Sequence, residues 1–135
     1  MTSFHVKKVV RGIVEAQLLV NPGSFSFLGD IDLENAEIIV RTSPNRGTSI
    51  AGKILVIEDS KGSSGGALVL QTLKKIGKAP AAIVTVKAAD FNLTEAAILY
   101  AVPYASHLNI NDFRALENGK TACLDLERNL LILRD

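Results

Sequence analysis

Ile54-Leu55-Val56-Ile57 is an uninterrupted apolar run of strand length, the pattern of a strand covered on both faces, and a glycine-serine turn follows it directly. Beyond the turn, Leu68, Val69, Leu73 and Ile76 recur at roughly helical spacing, which predicts a helix over residues 67–76 stopped by a glycine cap at Gly77. Ala81-Ala82-Ile83-Val84-Thr85-Val86 then reads as a second buried strand. Strand, helix and strand in this order make a right-handed βαβ crossover with the two strands parallel, so the centre of the chain is α/β.

The flanks are β-rich. Residues 4–20 are β-branched and apolar with Gly12 as the one strong break, which predicts two strands or one long bent one, closed by a turn at Asn21-Pro22-Gly23-Ser24. Residues 25–28 form a short apolar piece, residues 36–40 a further strand, and residues 42–47 a loop of turn-forming residues. A second helix is expected to start near residues 92–94 and to end before Pro103, with a short strand over 103–108. Asn118-Gly119 predicts a hairpin between residues 113–116 and 121–126, and residues 130–133 a last strand. The fold expected is one α/β domain over residues 1–135, with β-rich ends wrapping a central parallel βαβ unit.

The 135 residues, 47% of them hydrophobic, suit one compact domain with a sizeable core. Fifteen basic residues against fourteen acidic ones leave a net charge of +1, which gives no pull toward nucleic acid, an anionic membrane or a polyanionic substrate. Cys123 is the single cysteine, so an internal disulfide framework and a self-contained site of several thiolates are both excluded. No apolar run reaches the ~18 residues of a membrane span, and the start of the chain lacks a leader pattern; a soluble, cytoplasmic, unprocessed protein is expected.

Function must then be local, and Lys61-Gly62-Ser63-Ser64-Gly65-Gly66 is the segment that offers it. A glycine-serine turn at a helix start leaves N–H groups and the positive end of the helix dipole facing outward, with two hydroxyls and a lysine beside them: an anion site. Neither the Walker spacing nor Gly-x-Gly-x-x-Gly is present. The competing reading is a capping turn, in which Ser63 or Ser64 only accepts an N–H bond. Asp30, Asp32, Glu34 and Glu37 cluster around a turn without the spacing of a calcium loop, and read as a solvated turn rather than a metal site. His5 and His107 have no partner at ligand spacing, and Cys123 alternates with apolar neighbours as a buried small hydrophobe. No histidine or second lysine is placed to activate a serine, so hydrolase chemistry is not indicated.

Three stretches together resemble the small subunit, or swivelling domain, of the aconitase X type dehydratases: residues 47–56, Lys61-Gly62-Ser63-Ser64, and residues 79–84. Gly12-Ile13-Val14-Glu15-Ala16 and Ser26-Phe27-Leu28-Gly29-Asp30-Ile31-Asp32 extend the resemblance over most of the chain. It implies a swivelling β/β/α fold and a separate large subunit that carries an iron–sulfur cluster, none being bound by this chain. In such enzymes iron polarises the leaving hydroxyl while a serine oxygen removes the proton next to a carboxylate. The matching base is Ser63, with Ser64 as second choice. Lys61, Gly62, Ser64, Gly65 and Gly66, with Gly29 and Asp30, are then candidate contacts to a small anionic substrate. Archaeal members of the family look like mevalonate 5-phosphate dehydratases, while others dehydrate hydroxyproline or remain unassigned, so the resemblance leaves the substrate open.

The chain departs from the family pattern at Lys61, where arginine is common, and at Gly65-Gly66-Ala67, where a further hydroxyl residue and a Gly-Ser pair are usual. The reading is therefore a small subunit of a heteromeric hydro-lyase, inactive alone. A stand-alone module that binds a small anion without chemistry is the alternative. A phosphotransfer swivelling domain would need a histidine at the start of the second helix, and residues 92–95 hold none.

Overall fold

The computed structural model describes residues 2–61 and 64–134. Among the described residues eight strands line up in the order β1-β8-β7-β3-β4-β5-β6-β2. They are β1 (Ser3–His5), β2 (Lys7–Val10), β3 (Ile13–Phe25), β4 (Ile54–Ser60), β5 (Ala82–Thr85), β6 (Tyr104–Ser106), β7 (Thr121–Asp125) and β8 (Leu130–Leu133). β3, β4, β5 and β6 are parallel, and the remaining pairings are antiparallel. Helices α2 (Ser64–Lys75) and α3 (Phe91–Leu99) provide the crossovers from β4 to β5 and from β5 to β6, α4 (Ile110–Ala115) follows β6, and a single turn, α1 (Phe27–Asp30), follows β3.

The apolar run from Ile54 to Ile57 explains the layering. Leu55 and Ile57 face one core with Leu19 and Ile83, where Leu70 and Leu73 of α2, Ala96 and Ala97 of α3, and Ile38 and Ile50 cover them. Ile54 and Val56 face the other core with Leu18, Ala82 and Val84, closed by Phe113, Ala122, Leu124 and Leu131. A strand buried on both faces needs apolar residues at both parities, which is why the run has no alternation. β3 pairs with β7 up to Gln17 and with β4 from Leu18 onward, so one strand belongs to both halves of the sheet. The result is the expected β/β/α arrangement: an antiparallel layer, a mostly parallel layer, and helices.

α2 ends as expected. Gly77 has φ 73°, its N–H donates to Lys74 O at 3.2 Å, and Lys78 N–H donates to Leu73 O at 2.8 Å, closing the helix with a left-handed residue.

Four local expectations are corrected. Asn21-Pro22-Gly23-Ser24 is not a turn but part of β3, where three steps on β3 oppose two on β4 between Asn21↔Ile57 and Ser24↔Asp59, a one-residue bulge that tolerates proline. Residues 36–40 are not a strand: Ala36 has φ 58°, and only isolated bridges join Ile31 to Ile38 and Glu37 to Ser49. Residues 113–116 are not a hairpin arm either. They fall at the end of α4 and just beyond it, because Asn109 caps the helix by accepting Asn111 N–H at 2.8 Å and Phe113 and Leu116 are drawn into the second core. The tight hairpin is instead β7–β8, and Asn118 serves another purpose. Its Oδ1 accepts Val20 N–H at 2.6 Å and its Nδ2 donates to Asn45 Oδ1 at 2.6 Å, fastening the loop over residues 41–47 to β3.

Candidate active site

Because β3 to β6 run parallel, Phe25, Ser60, Thr85 and Ser106 bring the chain out at one edge of the sheet. The crevice outside the carboxyl ends of parallel strands is where open α/β sheets bind ligands.

After β3, Phe25 and Phe27 are buried and meet edge to face, their ring centroids 5.2 Å apart with planes at 86°. Such a pair contributes about 0.5–1.5 kcal/mol beyond its burial and fixes both sides of Ser26. The chain then turns sharply: Ser26 N–H donates to Asp30 Oδ2 at 2.7 Å, Ser26 Oγ donates to Leu28 O at 2.7 Å, and Asp30 N–H donates to Ser26 O at 3.2 Å. Leu28 and Gly29 leave helical geometry, Gly29 at φ 103°, so α1 is a knuckle rather than a helix. Asp30 thus closes the knuckle with one carboxylate oxygen, and Gly29 forms its exposed tip.

After β4, Lys61 N–H donates to Phe25 O at 2.9 Å, extending the β3–β4 pairing, and Lys61 is exposed. Gly62, Ser63 and the side chain of Ser64 lie outside the described residues. α2 starts at Ser64, three residues before the expected position, so Gly65 and Gly66 are not a preceding loop but the first turn of the helix. Gly65 is there for proximity. A Cβ at this position would stand 2.6 Å from Leu28 Cδ2, so a larger residue would have to displace the exposed Leu28 tip where the helix start rests against the knuckle. The structure therefore brings Lys61, Gly65, Gly66, Gly29 and Asp30 to the same edge, with the positive end of a twelve-residue helix between them.

Sequence reasoning missed a polar pair beneath this edge. Tyr104 Oη and Asp90 Oδ1 are both buried and have no hydrogen-bond partner among the described residues. Asp90 Oδ2 meanwhile caps α3 by accepting Leu93 N–H at 2.9 Å. Burial pushes the Tyr104 phenol from its ordinary 10.0 up to about 12, and the Asp90 and Asp59 carboxylates add to the effect. The Thr85 hydroxyl tempers that shift without meeting Tyr104 at hydrogen-bond geometry, since it donates to Lys87 O at 2.8 Å. Asp90 ahead of Phe91-Asn92-Leu93 is a legible capping signal; nothing adjacent to Tyr104 in the sequence announces its role.

Among the described residues no group of three His, Cys, Asp or Glu side chains is placed to hold a metal. The acidic cluster is made of turns, Asp32 Oδ1 accepting Glu34 N–H at 2.7 Å. Cys123 is buried in β7, and His107 Nδ1 pairs with Ser106 Oγ at 2.7 Å. No helix among the described residues is long and apolar enough to cross a membrane.

A family model for the aconitase X swivel domain matches residues 3–133. The phosphomevalonate dehydratase small subunit of Thermococcus gammatolerans is 39% identical over 108 residues, which span 80% of this chain and 82% of that protein. The small subunit of the same name from Methanosarcina acetivorans is 31% identical over 113 residues, 84% of this chain and 78% of that one. The crystal structure of Thermococcus kodakaraensis aconitase X in its holo form superposes with a TM-score of 0.90 at 31% identity, covering 100% of both chains. The resemblance read from residues 47–56, 61–64 and 79–84 is borne out, and this chain belongs to the aconitase X swivel-domain family.

Proposed function

We propose that this chain is the small subunit of a cytoplasmic, heteromeric dehydratase acting on a phosphorylated hydroxy acid of the phosphomevalonate type. The observation that carries the reading is the 39% identity to a phosphomevalonate dehydratase small subunit over four fifths of the chain. The sheet edge supports it: an exposed lysine and a helix N-terminus meet there.

In this reading the substrate carboxylate or phosphate lies against the N-terminus of α2 with Lys61 as counter-charge. Ser63 is the general base. Its ionised oxygen takes the proton from the carbon beside the carboxylate, a carbon–carbon double bond forms as the hydroxyl on the neighbouring carbon departs as hydroxide, and transfer of the serine proton to that hydroxide releases water and restores the ionised oxygen. The same N–H groups and cation that hold the anion favour the ionised serine oxygen. Gly65 keeps the knuckle closed on the helix start, which narrows the mouth around Gly29. The described residues do not fit an iron–sulfur cluster, so the cluster implied by the resemblance is assigned to the large subunit.

The test is reconstitution. The purified chain alone should show no dehydration of mevalonate 5-phosphate, and addition of the large subunit from the same organism should produce it. Turnover by the chain alone, or an assembled pair inert toward this substrate under reducing, iron-replete conditions, would contradict the proposal.

A further inference from the structure

The outer face of α3 carries large apolar side chains beside Thr94 and Glu95. Phe91, Ile98 and Leu99, at positions i, i+7 and i+8, are 78%, 62% and 65% exposed, whereas Leu93, Ala96 and Ala97 fill the core on the other side. Glu95 is the helix's one charged residue. The three exposed side chains line a groove of about 480 Å³ together with Asp90 and Glu95. At Ile98 the groove runs on into a second depression between α3 and the edge strand β2, lined by Val9, Val10, Lys8 and Arg11. Two depressions thus meet at Ile98, with the Glu95 carboxylate on the first and Lys8 and Arg11 on the second.

Isolated exposed leucines are ordinary, but a contiguous stripe of large side chains rimmed by charge marks a protein partner. We infer that the groove along α3 is a docking face for the large subunit, a step that rests on the small-subunit reading above. Two observations select that occupant. Asp90 both caps α3 at the edge that carries the candidate site and lines the groove, so a partner that completes the site from outside meets Phe91 at once. The charges also set the partner's chemistry: an apolar segment with a basic residue facing Glu95 and an acidic one facing Lys8 and Arg11.

The test measures association of the chain with the large subunit. Phe91→Ser and Ile98→Ser touch exposed side chains and should leave the melting temperature of the isolated chain unchanged. Each should weaken association by roughly 30-fold or more, as loss of a buried aromatic or aliphatic anchor does. Ile76→Ser, at the far end of α2, is the control and should bind as the unmodified chain does. Arg11→Glu should slow association and reduce its salt dependence. If the unmodified chain does not associate at all, the small-subunit reading fails and this inference with it. If it associates and the Phe91 and Ile98 variants match it, or Ile76→Ser is weakened as much, the docking face lies elsewhere and the functional reading stands. A self-association of the isolated chain abolished by Phe91→Ser would also overturn the inference, because the groove would then belong to a second copy.

Discussion

Asn45 is 4% exposed, and its amide joins three segments that sequence reasoning treated separately. Nδ2 donates to Val20 O at 2.8 Å and to Asn21 Oδ1 at 3.0 Å, while Oδ1 accepts from Asn118 Nδ2 at 2.6 Å. Asn45→Ala removes all three bonds, each worth about 1 kcal/mol net, and strips the Val20 carbonyl of its side-chain donor. The expected loss is about 3 kcal/mol, which for a domain of this size lowers the melting temperature by roughly 10 °C. Asn118 is exposed and regains water, so Asn118→Ala, which breaks the bonds to Val20 N–H and Asn45, should cost about 1–2 kcal/mol. The shared bond makes the pair non-additive: the double variant should be about 1 kcal/mol more stable than the sum of the singles predicts. Urea denaturation with a constant m-value is the assay. A loss under 1 kcal/mol for Asn45→Ala, or an additive cycle, would refute the claim that this network holds the loop and the β3 bulge together.

Two further outcomes concern the site edge. Gly65→Ala should change stability by less than about 1 kcal/mol, since helix propensity favours alanine and the clashing Leu28 tip is exposed and can swing away. It should nevertheless lower turnover of the assembled enzyme by opening the knuckle, and unchanged turnover would show that the close contact is not needed. The Tyr104 phenol titrates at about 12 in the fold against 10.0 when unperturbed, so the fold favours its neutral form. The resulting stabilisation, about 2–3 kcal/mol, is fully present below pH 10 and is lost as pH rises through 12. Tyr104→Phe should remove that part of the alkaline decline in urea titrations from pH 9 to 12; the same slope in the variant would count against it.

The parallel unit was legible because its signals are local and redundant. Ile54 to Ile57 has strand length and no alternation, Gly77 stops the helix, and both readings survive in the structure. The misreadings share a cause, which is that turn chemistry does not reveal what it will be packed against. Pro22 and Gly23 are turn residues in isolation, yet β4 alongside converts them into a bulge. Asn118-Gly119 carries a hairpin signal, yet the Asn118 amide is claimed by Val20 and Asn45, far away in sequence. At the site, the sequence placed a glycine-serine segment after a buried strand but did not reveal where the helix starts, because Gly65 and Gly66 disfavour the helix they belong to. Tyr104 was invisible for a different reason: its isolation is a property of the fold, not of its neighbours in the chain.

The proposed role of Ser63 as general base is tested most directly by turnover of the assembled enzyme carrying Ser63→Ala, with Ser64→Ala beside it and subunit association measured in the same preparations. The account predicts intact assembly and a loss of 10²-fold or more in kcat for Ser63→Ala, the size expected when a general base is removed. Activity within a few-fold of the unmodified enzyme, with both subunits in place, would contradict it.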